Sequence, residues 1–139
     1  HERHIRTLAA LPRPVNVLTT HSSWLMASLT MKPAGLLSGA GSVIPDLQVA
    51  LFNAVQAGNL ALAQDINDRI YPLSQAFYLP PFLDMHNRMK ECLVLLGRVE
   101  EAIIRPPLLK LAQSEIDDLA RALTQAGMLA QDQKIRAAE

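Results

Sequence analysis

Residues 15–45 read VNVLTTHSSWLMASLTMKPAGLLSGAGSVIP, and this stretch decides the fold. Two apolar runs, at residues 15–19 and 36–40, lie on either side of a helical segment at residues 24–31. Apolar runs without regular alternation are typical of parallel strands that are covered on both faces. We therefore predict a β-strand, an α-helix and a second, parallel β-strand. Because two parallel strands cannot close a sheet, the unit indicates part of a larger α/β domain.

The rest of the sequence predicts helices that are separated by proline and glycine. These helices cover residues 1–11, 46–57, 59–78, 85–96 and 115–126, and residues 99–112 are irregular. Pro45 is expected in the first turn of the second helix and Gly58 at its C-cap, and Pro72 is expected to kink or break the third. Asp84 is a candidate N-cap for the fourth, and Ser114 with Asp117 resembles a capping box before the fifth. The predicted chain is thus dominated by helices.

Composition excludes several classes of function. The 139 residues include 13 basic and 13 acidic side chains, so bulk charge gives no attraction for nucleic acid or an anionic membrane. No apolar run approaches the roughly 18 residues that span a bilayer, and the N-terminal residues do not form a secretory signal. The single Cys92 excludes an internal disulfide and a multi-cysteine zinc site. We expect it to be a buried structural thiol in a cytoplasmic protein.

Polar residues directly after the first strand are the first candidates for chemistry. His21 is a possible base, and Ser22 and Ser23 are possible nucleophiles, but side chains adjacent in sequence point apart and seldom form a catalytic pair. A loop that binds a substrate or caps a helix is the favoured interpretation. Gly39 and Gly41 do not fit the dinucleotide or phosphate-loop spacings. Close backbone packing and a ligand contact both stay open for them.

Lysines and a histidine elsewhere are expected to be solvated. A lysine that forms an imine must be desolvated inside a pocket. The sequence contains Lys32, Lys90, Lys110 and Lys134, and none lies at the end of a predicted strand. His86 lies in HNRMKE, whose mixed charges favour a solvated or interface face over a metal ligand.

Two segments together resemble the C-terminal part of the dihydrodipicolinate synthase and N-acetylneuraminate lyase family. They are GLLSGAGSVIPDLQVALFNAVQAGNLALAQ at residues 35–64 and MKECLVLLGRVEEAIIRPPL at residues 89–108. The resemblance implies an α/β fold, namely the C-terminal portion of a TIM (β/α)8 barrel. Residues 1–58 would supply helix six, strand seven, helix seven, strand eight and helix eight of the barrel. Residues 59–139 would form a C-terminal helical region.

The family resemblance also implies a chemistry and a division of roles. A lysine on the sixth strand forms a Schiff base with a 2-oxo acid such as pyruvate or a 2-keto-3-deoxy sugar acid, and a tyrosine on the preceding strand assists. Both lie upstream of His1 in the family order, so we expect no catalytic residue, metal or cofactor in this chain, which alone would be inactive. The expected substrate-binding residues are Thr20, His21, Ser22, Leu37, Ser38 and Gly39.

The expected partners are the remainder of the barrel and further copies of the same protein, in a tetramer or dimer.

Residues 19–23 read TTHSS, where lyases of sialic acid carry a glycine followed by aromatic and acidic residues. Residues 80–91, PPFLDMHNRMKE, are longer than their counterpart in typical dihydrodipicolinate synthases. These departures favour an aldolase or dehydratase of 2-keto-3-deoxy sugar acids.

Two other interpretations remain from the sequence. A non-enzymatic helical interaction module would explain the amphipathic helices after Asp46, although it would not explain residues 15–41, whose parallel edges would invite aggregation. A split enzyme, in which this chain complements another half-barrel, would appear as a stable heteromeric complex.

Overall fold

The computed structural model describes residues 2–13, 15–20 and 22–130 of the chain. Its residues group into two compact units, His1–Asn67 and Asp68–Glu139. The assignment of residues 1–58 to a barrel and of residues 59–139 to a helical region stays a prediction. None of the helices in the described ranges combines the length and the apolar composition needed to cross a bilayer.

The first unit contains the predicted parallel strand pair. Its elements are α1 (Glu2–Ala9), β1 (Leu18–Thr19), α2 (Leu25–Thr30), β2 (Gly35–Leu36), α3 (Pro45–Gln56) and the start of α4 (Leu60–Phe77), with 3-10 turns at Ser22–Trp24 and Gly39–Ser42. β1 and β2 are parallel, with Leu18 opposite Gly35 and Thr19 opposite Leu36. The predicted strand, helix and parallel strand are therefore confirmed. A chain without parallel strands would have favoured the helical interaction module, and the parallel pair does not.

Both strands are shorter than predicted, and the second ends earlier. Gly39 and Ala40, predicted on a strand, lie in a 3-10 turn instead. In that turn the Val43 amide donates to the Ala40 carbonyl at 3.0 Å. The small side chains of residues 38–42 offer a strand little area to pack, so local turn bonds prevail over an extended conformation. The turn leads the chain into α3.

The two faces of the strand pair have different surroundings. Helix α2 packs against β1 on the face that carries the buried Thr19. Side chains alternate along a strand, so Leu18 lies on the opposite face, opposite Gly35 in the register, and the same alternation places Leu37, which follows β2, on that face. Leu18 is 50% exposed and Leu37 is 69% exposed. One face is thus covered by a helix, while the other presents leucines to solvent.

The core of the first unit forms where α2 packs against α3. Its buried apolar side chains include Leu25, Leu29, Val43, Ile44, Leu47, Leu51 and Ala54. Helix α3 begins at Pro45, as predicted, since proline at the first helical position loses no needed hydrogen bond. Gly58, with φ of +72°, follows the end of α3, also as predicted.

Helix α4 begins where the sequence predicted but is not broken by its proline. The side chain of Asn59 accepts a hydrogen bond from the Leu62 amide at 3.1 Å, which makes Asn59 the N-cap. The helix runs through Pro72 to Phe77, so of the two predicted effects the break is wrong, and the kink stays a prediction. Ile70, Leu73 and Phe77 are buried on either side of the proline. Their packing offsets the cost of about 3 kcal/mol that proline imposes on a helix interior.

The second unit is helical. It contains the remainder of α4, a 3-10 turn at Phe82–Asp84, α5 (Met85–Leu95), which packs against α6 (Gln113–Gln125), and an irregular connection between these two helices, as predicted. Its buried core includes Leu73, Phe77, Met89, Cys92, Leu119 and Leu123.

The caps of α5 and α6 differ from the prediction. Asp84 occupies the N-cap position of α5, but its carboxylate accepts from the Asn87 side-chain amide at 3.0 Å rather than from a backbone amide. The capping box at Ser114 is wrong, because α6 already begins at Gln113. Gln113 instead donates to the Asp117 carboxylate at 3.0 Å across one helical turn, which stabilises this start of the helix.

A buried arginine on α5 connects this helix to three other segments of the second unit. Arg88 is 1% exposed, and its Nε lies 2.6 Å from Oε1 of Glu115 on α6. Its Nη1 donates to the carbonyls of Phe77, Leu79 and Pro81. The solvated or interface face predicted around residue 86 is therefore right for the exposed His86 and wrong for Arg88. This one guanidinium therefore joins α5 to the end of α4, to residues 79–81 and to α6.

Replacing Arg88 by alanine should destabilise the protein by about 3 to 5 kcal/mol, because a partly buried carboxylate and backbone carbonyls lose their partner. Denaturant unfolding measures this loss. Arg121→Ala is the control, since Arg121 pairs with Asp118 on the surface of α6 and its loss should cost less than about 1 kcal/mol. Equal effects of the two substitutions would contradict the structural role of Arg88.

Burial raises the pKa of the Cys92 thiol from 9.0 to about 12, and the charge of Glu91 adds to the shift. The stability linked to this thiol is therefore complete below pH 9 and is lost as the pH rises toward about 12, because only the unfolded chain ionises in that range. A disulfide reagent at pH 9 should react slowly with the folded protein and fast in denaturant. Fast labelling of the folded protein would contradict this, and Cys92→Ala should lose this part of the pH dependence.

Candidate functional site

The carboxyl ends of β1 and β2 bring together two of the residues that the sequence singled out. Ser22 lies in the 3-10 turn after β1, and Ser38 lies just before the turn that follows β2. Their hydroxyl oxygens are 2.7 Å apart. Parallel strands end at the same edge of a sheet, and this register places the two serines side by side.

Of the other predicted site residues, three are exposed and one lies outside the described residues. Thr20, Leu37 and Gly39 are exposed. The Thr20 carbonyl accepts from the Ser22 amide at 3.0 Å, which shapes the turn after β1. His21 lies outside the described ranges. A role of these residues in substrate binding stays a prediction.

Gln48 on α3 completes the cluster, and the sequence reasoning missed it. Its Nε2 donates to the Ser38 hydroxyl at 3.0 Å, and the residue is only 4% exposed. Gln48 follows Ile44 by four positions and precedes Leu51 by three, so it lies on the apolar face of the helix. A polar residue inside an apolar helical stripe was the signal that could have identified it. We refer to Ser22, Ser38 and Gln48 as the hydroxyl–amide cluster.

A glycine makes room for the carboxamide of Gln48. A Cβ atom built on Gly41 would lie 3.0 Å from Oε1 of Gln48, which is tighter than ordinary contact between these atoms. The Gly41 amide also donates to the Ser38 carbonyl at 3.1 Å. The absence of a side chain at position 41 therefore lets the turn approach α3 closely.

A second pair of hydroxyl groups anchors the end of β1 from behind. The oxygens of Thr19 and Ser28 are 2.5 Å apart, and both residues are buried. This contact connects β1 to α2 and fixes the end of β1, which precedes the 3-10 turn that contains Ser22. Satisfied buried hydroxyl groups of this kind hold a backbone in one arrangement.

The hydroxyl–amide cluster offers neutral hydrogen-bonding groups. Hydroxyl and carboxamide groups are neutral near pH 7 and both donate and accept hydrogen bonds.

The three described lysines are exposed, as expected: Lys90 donates to the Ile103 carbonyl at 2.5 Å, and Lys110 pairs with Glu101 at 3.2 Å. Within the described ranges, no group of histidine, cysteine and acidic residues could hold a metal ion.

The groups with shifted pKa values in the described residues belong to the second unit. In addition to Cys92, Glu91 has a raised pKa: burial raises it, and the charge of Lys110 acts in the opposite direction. Glu91 and Cys92 lie on α5, whereas the hydroxyl–amide cluster belongs to the first unit.

Comparison with known proteins identifies relatives for almost the whole chain. The profile of the dihydrodipicolinate synthetase family matches residues 2–126. A 4-hydroxy-tetrahydrodipicolinate synthase of Brucella suis is 30% identical over 95 residues, which cover 68% of this chain and 31% of the relative. A probable 2-dehydro-3-deoxy-D-pentonate aldolase of Escherichia coli K12 is 24% identical over 131 residues, which cover 91% of this chain and 42% of the relative. The chain thus spans less than half the length of these relatives.

Solved structures share the fold of the chain. Dihydrodipicolinate synthase from Aquifex aeolicus matches with a TM-score of 0.77 at 19% identity, over 94% of this chain and 44% of that one. A prophage protein of the dihydrodipicolinic acid synthase family from Escherichia coli K12, in complex with pyruvate, matches with a TM-score of 0.70 at 24% identity, over 81% and 37%. Dihydrodipicolinate synthases are TIM barrels, so the helix-rich chain with its parallel strand pair shares its fold with part of such a barrel. The family profile extends over most of the chain, and we conclude that the chain belongs to the dihydrodipicolinate synthetase family.

Proposed function

We propose that this chain forms the C-terminal part of a Schiff-base lyase and supplies one wall of its substrate pocket. In this proposal β1 and β2 are the seventh and eighth strands of a (β/α)8 barrel, and α3 is the last barrel helix. The lysine that forms the imine belongs to a preceding strand. The chain itself contributes substrate contacts and carries no catalytic residue.

The exposed face of the strand pair is the observation that carries the proposal. Leu18 and Leu37 lie on the face away from α2, and more than half of Leu37 is exposed to solvent. Strands in a parallel barrel are covered on both faces, by helices outside and by other strands' side chains inside. Further barrel strands would bury these leucines and pair with the free edges of β1 and β2.

The position of the hydroxyl–amide cluster supports a role in binding. In α/β barrels the substrate lies at the carboxyl ends of the strands, and the loops there line the pocket. Ser22 and Ser38 meet at this end of the strand pair. Leu37, beside them, would present an apolar side chain to the substrate.

The proposed substrate class is a 2-oxo acid, such as pyruvate or a 2-keto-3-deoxy sugar acid. One relative is a probable aldolase of 2-dehydro-3-deoxy-D-pentonate, and one structural neighbour holds pyruvate. Neutral hydrogen-bonding groups suit the hydroxyl and carbonyl oxygens of such molecules. Assembly with the rest of the barrel, a homodimer or homotetramer, and a cytoplasmic location are parts of the same proposal.

Borohydride trapping with pyruvate tests the proposal. An imine forms when a lysine amine attacks the C2 carbonyl and water leaves, and borohydride then reduces the C=N bond to a stable secondary amine. We expect peptide mass spectrometry of the complete enzyme to find the adduct on a lysine outside residues 1–139. An adduct on Lys32, Lys90, Lys110 or Lys134 would contradict the assignment of roles, and no adduct anywhere would contradict the Schiff-base chemistry.

A further inference from the structure

We propose that Gln48 is a positioning residue that makes the Ser38 hydroxyl a hydrogen-bond donor toward the bound substrate. The inference rests on the proposed function, because it assumes that Ser38 faces the substrate pocket. It goes further by assigning a role to α3, which contributes none of the site residues predicted from the sequence. It also specifies the kind of group that the substrate must present at this point.

The direction of the hydrogen bonds follows from the chemistry of the carboxamide. The Gln48 amide nitrogen can only donate, so the Ser38 oxygen accepts at 3.0 Å. A hydroxyl has one hydrogen and two lone pairs, and Ser38 therefore keeps its hydrogen and one lone pair for other partners. Ser22, 2.7 Å away, is one such partner.

The Ser22 contact allows the hydroxyl of Ser38 to change partners without moving heavy atoms. Either serine can donate across this contact. When Ser22 donates, Ser38 accepts from both neighbours, and its hydrogen is available to a ligand. The change requires only rotation of two hydroxyl hydrogens, because the oxygen of Ser38 stays fixed by Gln48.

Burial and close packing distinguish Gln48 from an ordinary core residue. An apolar side chain at this position would extend the stripe of Leu47 and Leu51, whereas a buried carboxamide must be desolvated. A Cβ atom at position 41 would lie 3.0 Å from Oε1 of Gln48, so the glycine leaves room for the carboxamide. The free-energy cost of burying the Gln48 carboxamide in an apolar helix face is explained by the Ser38 hydroxyl that it orients.

The consequence for specificity is a requirement for an acceptor oxygen. A hydroxyl, carbonyl or carboxylate oxygen of the ligand would receive the Ser38 hydrogen. A ligand that presents an N–H group at this point would meet a donor and lose the contact.

Gln48→Glu tests the inference, with 2-dehydro-3-deoxy-D-pentonate as the substrate of the complete enzyme. At an assay pH at which the glutamate is ionised, it only accepts, so Ser38 would donate to it and could no longer donate to the substrate. We expect KM to rise roughly ten-fold while kcat changes less than about two-fold, as for the loss of one binding hydrogen bond. Gln48→Leu should raise KM less, because Ser38 would be free to turn toward the ligand. Gln56→Glu, on the exposed end of α3, is the matched control and should leave both constants unchanged.

A KM for Gln48→Glu equal to that of the Gln56→Glu control would overturn the inference, as would a fall in kcat alone. Thermal unfolding of each variant separates these results from a loss of folded protein. Imine formation by the unsubstituted enzyme with pyruvate tests the proposed function separately, because it does not depend on Gln48.

Hydrogen exchange of the Gln48 side-chain amide gives a readout that needs no substrate. NMR of the chain should find slow exchange at Gln48 that Ser38→Ala accelerates, and fast exchange at the exposed Gln56. Exchange at Gln48 as fast as at Gln56 would overturn the inference even in an enzyme that forms the imine. Slow exchange in a protein that forms no imine would uphold the role of Gln48 in orienting Ser38 while the proposed function fails.

Discussion

The parallel pairing of β1 with β2 is the constraint on which the rest of the first unit depends. It sets the two strand ends at one edge, where Ser22 and Ser38 come within hydrogen-bond distance. It also fixes which side chains share a face, because a shift of one residue would exchange the buried Thr19 for the exposed Leu18. Helix α2 covers one face only. The exposed leucines, the free edges and the polar strand ends thus have a common origin.

Polar groups at the strand ends are held by contacts from several elements. The pair of Thr19 and Ser28 fixes β1 on α2, and Gln48 fixes Ser38 from α3. Each contact satisfies a group whose burial would otherwise cost free energy. The result is a rigid set of donors and acceptors, which is what a binding site requires to limit the entropy lost on binding. In the second unit, Arg88 has the comparable task of joining helices around one buried charge.

Local signals in the sequence predicted the local features correctly. The parallel pair, the starts of α3 and α4 and the buried Cys92 follow from apolar runs, proline, glycine and composition. The partners of Arg88 and Gln48 were not predictable in this way. Arg88 and Glu115 are 27 residues apart, so only the packing of α5 on α6 brings them together. Pro72 does not break α4, because tertiary burial on both sides outweighs its local preference.

A crystal structure of the complete enzyme tests most directly whether β1 and β2 belong to a (β/α)8 barrel. We expect β1 and β2 each to gain a further parallel neighbour and Leu18 and Leu37 to become buried inside the barrel. It also predicts that the hydroxyl–amide cluster lies at the pocket. A structure in which the two strands remain an isolated pair, with Leu18 and Leu37 exposed or covered only by a helix of another copy, would contradict it.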